Sequence, residues 1–251
     1  MPTSDVDDPK TNCLTVVLAG GKGTRIRHLL PDLPKPLAPV FGYPFLEWVL
    51  KFISKQGLKN VVLSTGYLAE KIKLFAEKTN FQYLNLQCVQ ESLPLGTAGG
   101  VANAIDNCRH EFETVLVLNG DSLVMADLVP MFNCLKETSV DVVLLGVKVD
   151  DARRYGALEV SDDNFLLGFR EKQTGVGLIN AGVYLFRRKI LDILPRGKAI
   201  SFEIDVFPKL LAENLQIKVI EVEAPFVDIG TEESLDYSSA FIEKNIDYLI
   251  G

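Results

Sequence analysis

Five short apolar runs, LTVVLA, NVVLST, LNLQCVQ, TVLVLNG and DVVLLGVKV, alternate with helical segments through the first 150 residues. β-Branched runs without polar alternation belong to strands buried on both faces. Separated by helices, they predict an α/β fold: a mostly parallel, Rossmann-like sheet with helices on both faces. One intervening helix is well marked over Pro44 to Gln56. Phe45, Val49 and Phe52, and beside them Leu46, Leu50 and Ile53, recur at spacings of four and three, and Gly57 is placed to end it. In such a sheet a ligand sits beyond the carboxyl ends of the strands.

The turn after the first strand is therefore the first candidate for a ligand site. TVVLA, ending in Leu18 and Ala19, runs into Gly20, Gly21 and Gly23, then Thr24, Arg25 and Arg27, and Lys35 comes next between two prolines. Glycines without Cβ let backbone N–H groups approach and surround an anion. An arginine fork and a lysine point charge then neutralise phosphate oxygens. A Walker loop would end in Gly-Lys-Ser/Thr, and a dinucleotide fingerprint would carry a third glycine three residues beyond the second. Gly23 is followed by Thr24, Arg25 and Ile26, so neither pattern fits.

Gly-Gly-x-Gly-Thr-Arg with Pro-Lys-Pro resembles the sugar-nucleotide pyrophosphorylases, nucleotidyltransferases that join a nucleoside triphosphate to a sugar 1-phosphate. The resemblance implies the nucleotide-diphospho-sugar transferase fold. It also implies that Gly20, Gly21, Gly23 and Thr24 wrap the triphosphate, with Leu18 and Ala19 in the same nucleotide-binding site. Arg25 and Lys35 would be catalytic, binding the phosphates undergoing transfer.

The rest of the chain fits a single domain over residues 13–251. Residues 13–150 form the nucleotide-binding half, and residues 151–251 a smaller antiparallel sugar-binding half. ALEVSDDNFLLGFRE reads as a hairpin turning at Asp162-Asp163-Asn164. A third strand, GLINAGVYLF, precedes the helix SFEIDVFPKLLAEN, with Ser201 as its N-cap. The strand IKVIEVEAPFVDI then leads to a last helix from about Thr231 to Leu249. Residues 1–12, polar and acidic without an apolar h-region, read as a disordered tail rather than a signal peptide.

Charge and cysteine usage exclude several classes of partner. The net charge is −7 with no block of Lys and Arg, which argues against nucleic acid and requires the cations to be focused in one cleft. Four scattered cysteines and two histidines make neither a zinc site nor a disulfide framework, and point to the cytoplasm. No apolar run approaches the ~20 residues of a membrane span, so no membrane partner is expected. Nor is there a six-residue repeat with recurring Ile or Val, so the left-handed β-helix and acetyltransferase activity of some relatives are not expected. A homodimer is left open.

Asp121 and Asp228 each end an apolar strand beside a glycine. A single such residue would be a helix cap. Two, both in the family's pattern, are read as ligands of Mg²⁺, which takes one or two carboxylates and fills its octahedron with phosphate oxygens and water. Asp121 also belongs to the implied nucleotide site. Asp127 and Asp141 lack that context and read as capping or surface residues.

The segment VQESLPLGTAGG resembles the part that lies over the base, with Gly96 and Thr97 near its edge. Glu91 there is an acceptor-only carboxylate, matching guanine's adjacent N1–H and N2–H₂ donors. Thymidylyl and uridylyl relatives often carry glutamine instead. A solvated Glu91 pairing with a lysine is the alternative. For the sugar phosphate, resemblance implicates Gly156 beside Tyr155, Glu171, Lys172, Asn180 and Gly182. Glu171 would accept from sugar hydroxyls, and Lys172 would neutralise the phosphate. The family's proline after that lysine is Gln173 here. Composition alone would make Arg-Glu-Lys a solvated face, and Gly156 and Gly182 ordinary turns. Asn180, in an otherwise apolar strand, needs partners for its amide.

RRYGALEV, GLINAGVYLF, ISFEIDVFPKL and FVDIGT resemble one branch, the D-glycero-α-D-manno-heptose 1-phosphate guanylyltransferases of bacterial surface polysaccharide synthesis. GTP and that sugar phosphate would be the substrates. Mannose 1-phosphate guanylyltransferases share the Glu91 and Gly-Thr-Ala-Gly features, and uridylyl or cytidylyl relatives stay open. So does a non-catalytic subunit that binds nucleotide sugar, although such a subunit would be marked by loss of the phosphate cations or a metal aspartate.

Overall fold

A computed structural model of the protein describes residues 10–79, 81–170 and 175–250. Its first seven strands are β1 (Cys13–Ala19), β2 (Pro39–Val40), β3 (Tyr43–Pro44), β4 (Asn60–Thr65), β5 (Asn85–Gln90), β6 (Thr114–Asn119) and β7 (Ser122–Val124). The others are β8 (Val142–Val149), β9 (Ala157–Val160), β10 (Leu166–Arg170), β11 (Gly177–Arg187), β12 (Ile217–Val222) and β13 (Phe226–Asp228). The helices are α1 (Phe45–Lys55), α2 (Ala69–Lys78), α3 (Gly96–Asp106), α4 (Val129–Leu135), α5 (Arg188–Asp192), α6 (Phe207–Ala212), α7 (Glu232–Lys244) and α8 (Ile246–Ile250).

The main sheet runs β12-β8-β11-β6-β1-β4-β5, with the β9–β10 hairpin joined to β11. β6, β1, β4 and β5 are parallel, as their sequence pattern predicts. Along β1 the side chains alternate between two cores. Cys13, Val17 and Ala19 face one, Leu14 and Val16 the other. The first core is packed by α1, α4 and α7, the second by α3 and α6 with Tyr184, Phe186, Phe202 and Phe207. Full burial of each large side chain contributes about 1.5–3 kcal/mol.

GLINAGVYLF is antiparallel, as expected, and lies inside the main sheet. Val183–Arg187 pairs antiparallel with β6, and Tyr184–Phe186 pairs antiparallel with β8 on the other side. Val183, Tyr184, Leu185 and Phe186 are all buried, and only the interior of a sheet covered on both faces can bury such a run. β12 also joins this sheet, parallel to β8. The two sequence halves therefore interleave in space.

Three expected elements are divided. IKVIEVEAPFVDI becomes β12 and β13, in different sheets, separated at Pro225, which has no N–H for a ladder. The helix begun by Ser201 is a wide π-type turn over Phe202–Val206 before α6. Pro208 cannot donate to the carbonyl one turn back. The last helix breaks at Asn245, whose side-chain amide donates to the Phe241 carbonyl at 2.8 Å. Asp127 accepts from Val129 N in the turn before α4, and Asp141 accepts from Gln216 N where β8 and β12 begin.

Residues 10–12, which the sequence pattern assigns to the end of the tail, make defined contacts. Lys10 Nζ donates to the Gln56 carbonyl at 2.8 Å, and the Asn12 carbonyl accepts from Glu113 N at 2.9 Å. No helix among the described residues is long and apolar enough to cross a membrane.

Candidate active site

Beyond the carboxyl ends of β1, β4 and β6 lies a cavity of about 410 Å³. Leu18, Gly20, Gly21, Gly23, Lys35, Glu91, Gly96, Thr97 and Asp121, all singled out in the sequence, line it. The turn after β4 holds the glycine loop in place. Tyr67 N donates to the Gly20 carbonyl at 3.1 Å, and a Cβ on Gly66 would stand 2.8 Å from that oxygen. Arg27 lies over the Tyr67 ring, 5.0 Å from its centre. Ala19 is buried in β1 behind the loop. Thr24 and Arg25 are exposed outside the lining, in a run of turns over 24–29.

Lys35 starts a short 3₁₀ turn, with its backbone fixed by Pro34 and Pro36. Its side chain is only 14% exposed, and its ammonium donates to Asp121 Oδ2 at 2.7 Å. β7 and β13 pair so that Asp228 lies opposite Ser122, next to Asp121, and Ile229 N donates to the Asp121 carbonyl at 2.9 Å. Asp228 Oδ2 accepts from the Tyr155 hydroxyl at 2.5 Å and from Arg154 Nη2 at 3.3 Å, while Oδ1 accepts from Gly230 N at 2.8 Å. Burial, then the bond and the charge of Asp228, pushes the Tyr155 phenol well up, so it stays a donor. Two carboxylates at the ends of adjacent strands thus stand among Lys35, Arg154 and Tyr155.

Glu91 lines the cavity with both oxygens anchored. Oε1 accepts from Ser64 Oγ at 3.2 Å and Oε2 from Leu95 N at 3.0 Å. It is not a solvated partner of lysine. Burial raises its pKa, and the bonds from Leu95 and Ser64 oppose that rise. Gly96 has φ +71°, and a Cβ there would meet the Ile200 carbonyl at 2.5 Å. That carbonyl accepts from Ala98 N and Gly99 N, which clamps the start of α3 to the segment before the π-type turn.

On β11, Asn180 and Gly182 do not line this cavity, although Gly182 packs on Asn119, which does. Asn180 has its partners within the strand, Tyr184 and Gly182 N. Gly182, with φ +71°, packs where a Cβ would stand 2.3 Å from Asn119 Nδ2. Gly156 is exposed with open space around it. Glu171 and Lys172 lie outside the described residues. Lys22, Pro36, Tyr67, Pro94 and Asn119 complete the lining, and sequence reasoning missed them. Four carried a signal: Lys22 lies inside the glycine loop, Pro36 in the Pro-Lys-Pro motif, Pro94 in the second glycine-rich segment, and Asn119 precedes Gly120-Asp121.

The family described as nucleotidyl transferase matches residues 14–245. A mannose-1-phosphate guanylyltransferase of Mycobacterium tuberculosis is 37% identical over 92% of this chain, which spans 65% of that relative's length. A D-glycero-alpha-D-manno-heptose 1-phosphate guanylyltransferase of Aneurinibacillus thermoaerophilus is 33% identical over 94% of this chain and 99% of its own. Among solved structures, HddC from Yersinia pseudotuberculosis, complexed with GMP-PN, is similar with a TM-score of 0.80. It is 32% identical, over 90% of this chain and 98% of its own.

Proposed function

Since the chain belongs to the nucleotidyl transferase family, we propose that it transfers a guanylyl group from GTP to a sugar 1-phosphate and releases pyrophosphate. The observation that carries this reading is the cavity where the glycine loop, Lys35 and Asp121 meet beyond the strand ends. The relatives described as guanylyltransferases support guanine as the base.

The acid–base demands are small. A phosphate monoester with second pKa ~6 is largely dianionic at neutral pH, so the sugar phosphate needs no general base to attack the α-phosphorus in line. Positioning and charge neutralisation carry such transfers. The glycine loop and Lys35 would hold the triphosphate, and Arg25, at the exposed end of the loop, would close on the charge developing at the departing pyrophosphate. Lys172 and Glu171 are proposed for the sugar phosphate.

Asp121 and Asp228 fit Mg²⁺. They are hard oxygen donors, Asp121 in the turn just before β7 and Asp228 in β13, the strand paired with β7. Most of the coordination would be left to phosphate oxygens and water, the arrangement Mg²⁺ favours. Bound there, the ion supplies neutralising charge for the α-phosphate and the leaving group.

D-glycero-α-D-manno-heptose 1-phosphate is the proposed acceptor, favoured by two heptose 1-phosphate guanylyltransferases that are each 33% identical to this chain, over 94% and 87% of it. Mannose 1-phosphate is the second reading, favoured by the 37% identity of the mycobacterial relative. Incubation with GTP and Mg²⁺ and each sugar phosphate separates them by the GDP-sugar formed. Failure to form either product would remove both.

Glu91 is proposed to read the base. Its oxygens are fixed by Ser64 and Leu95, and each keeps a lone pair for guanine N1–H and N2–H₂. Glu91→Gln places a donor against a donor and is expected to cost GTP about ten- to a hundredfold in kcat/KM. Inosine triphosphate lacks the N2 amine. It is expected to be the poorer substrate for the wild type and to lose less on mutation. Equal use of GTP and ITP by the wild type would leave Glu91 only as the brace of its loop.

A further inference from the structure

The strand that carries the proposed sugar contact and the loop that carries the proposed base contact are joined by a half-buried chain of hydrogen bonds centred on one fully buried hydroxyl. Tyr184, in the middle of β11, is completely buried among Phe186, Phe202 and Phe207. Its hydroxyl lies 2.9 Å from Glu203 Oε1 and 2.7 Å from Asn180 Nδ2. Asn180 Oδ1 accepts from Gly182 N at 2.9 Å. On the far side, Glu203 Oε2 accepts from Ser201 Oγ at 2.7 Å and from Thr97 Oγ1 at 3.5 Å, and Thr97 Oγ1 accepts from Phe202 N at 2.9 Å. Thr97 lines the cavity.

The chemistry of these groups gives the chain one direction. A carboxylate only accepts, so the Tyr184 proton goes to Glu203. The phenol oxygen is then left as an acceptor and accepts a hydrogen bond from Asn180 Nδ2. That places Asn180 Oδ1 toward Gly182 N, which can only donate. Reversing any one bond sets donor against donor or acceptor against acceptor inside the core. Burial, followed by the charge of Glu203, raises the Tyr184 pKa far above that of a free phenol, so the donated proton is always present. Asn180 therefore has one amide orientation, with one N–H and one lone pair uncommitted.

We propose that Tyr184 and Glu203 are positioning residues for the sugar 1-phosphate: their hydrogen-bond relay locks the Asn180 amide in the orientation that meets a sugar hydroxyl. This rests on the reading of Asn180 as a sugar contact. Neither Tyr184 nor Glu203 touches the reacting atoms. β11 changes register with β8 between Asn180 and Tyr184, and the relay bridges that irregularity. The bond to Thr97 ties the same relay to the start of α3.

Three variants test it in steady-state assays with GTP and the sugar 1-phosphate that the wild type uses. Tyr184→Phe keeps the ring packing and removes the hydroxyl. Glu203→Gln keeps the shape but can offer Tyr184 a donor, which permits the relay to reverse. Each is expected to raise KM for the sugar 1-phosphate about tenfold while kcat and KM for GTP stay within about twofold. The double variant should be no worse than the more affected single variant, because both break one relay. Asn180→Ala is the control and should raise the same KM at least as much.

If Asn180→Ala raises the sugar KM but Tyr184→Phe and Glu203→Gln lower only the melting temperature, the relay is structural and the proposal is wrong. Equal rises in both KM values would also make it structural. An unchanged sugar KM in Asn180→Ala would overturn the proposal together with the sugar reading of β11. Should Tyr184→Phe fail to fold, Glu203→Gln gives the same decision.

Discussion

Arg25→Ala is expected to lower kcat about a hundred- to a thousandfold, the usual cost of removing one preorganised group that meets transition-state charge. Its fold should be unaffected. Arg25 is exposed, outside the cavity lining, in a run of turns whose backbone bonds (Ile26 N to the Gly23 carbonyl, Leu29 N to the Ile26 carbonyl) do not involve its side chain. That placement separates it from Lys35, which is held to Asp121 and nearly buried. Lys35 is in place at Asp121 without a ligand, whereas Arg25 in its proposed role would come in with the triphosphate. The loss should therefore appear in kcat more than in KM for GTP. Arg25→Lys should recover little, because a point charge does not replace a bidentate fork. Single-turnover measurements with a melting curve on the same sample check both halves. An unchanged chemical rate would remove Arg25 from the mechanism.

Asp121→Asn and Asp228→Asn should each raise the Mg²⁺ concentration for half-maximal activity about tenfold or more, since an amide keeps the shape and loses the charge that a hard cation needs. The two are expected to differ in what else they disturb. Asparagine at 121 leaves the Lys35 ammonium without its counter-charge at 2.7 Å. Its effect should extend to KM for the triphosphate. Asparagine at 228 puts an NH₂ against either the Gly230 N–H or the Tyr155 and Arg154 donors, so it should also lower the melting temperature. A Mg²⁺ titration of initial rates, read against melting curves, checks the pair. Wild-type Mg²⁺ dependence in both variants would contradict the metal assignment.

These two experiments probe what was most legible in the sequence. The glycine loop, the lysine between prolines and the strand-ending aspartates are local patterns, and the fold brings their residues to one end of the sheet. The parallel order of β6, β1 and β4 was legible for the same reason, since an uninterrupted apolar run states its own burial, whereas β5, an edge strand with Asn85, Gln87 and Gln90 among its apolar residues, was legible only from its place in the strand–helix alternation. The long-range pairings were hidden. Nothing local in GVYLF says that it enters the central sheet antiparallel between β6 and β8. Tyr184 reads as one more aromatic core residue until Glu203 is seen across from it, 19 residues on. The direction of the Glu91 carboxylate depended on Ser64, at the end of another strand. Tyr67 entered the cavity because its backbone closes on Gly20, 47 positions earlier in the chain.

The most direct measurement of the central claim is pyrophosphate release with GTP, ATP, UTP and CTP, each paired with heptose, mannose and glucose 1-phosphates. GTP with a manno-configured sugar 1-phosphate should release pyrophosphate at least tenfold faster than any other pair, the discrimination that a bidentate contact to the base provides. A faster reaction with UTP or CTP would contradict the guanylyl reading. Binding of GTP without pyrophosphate release from any pair would contradict catalysis itself, and leave a nucleotide-sugar-binding protein in its place.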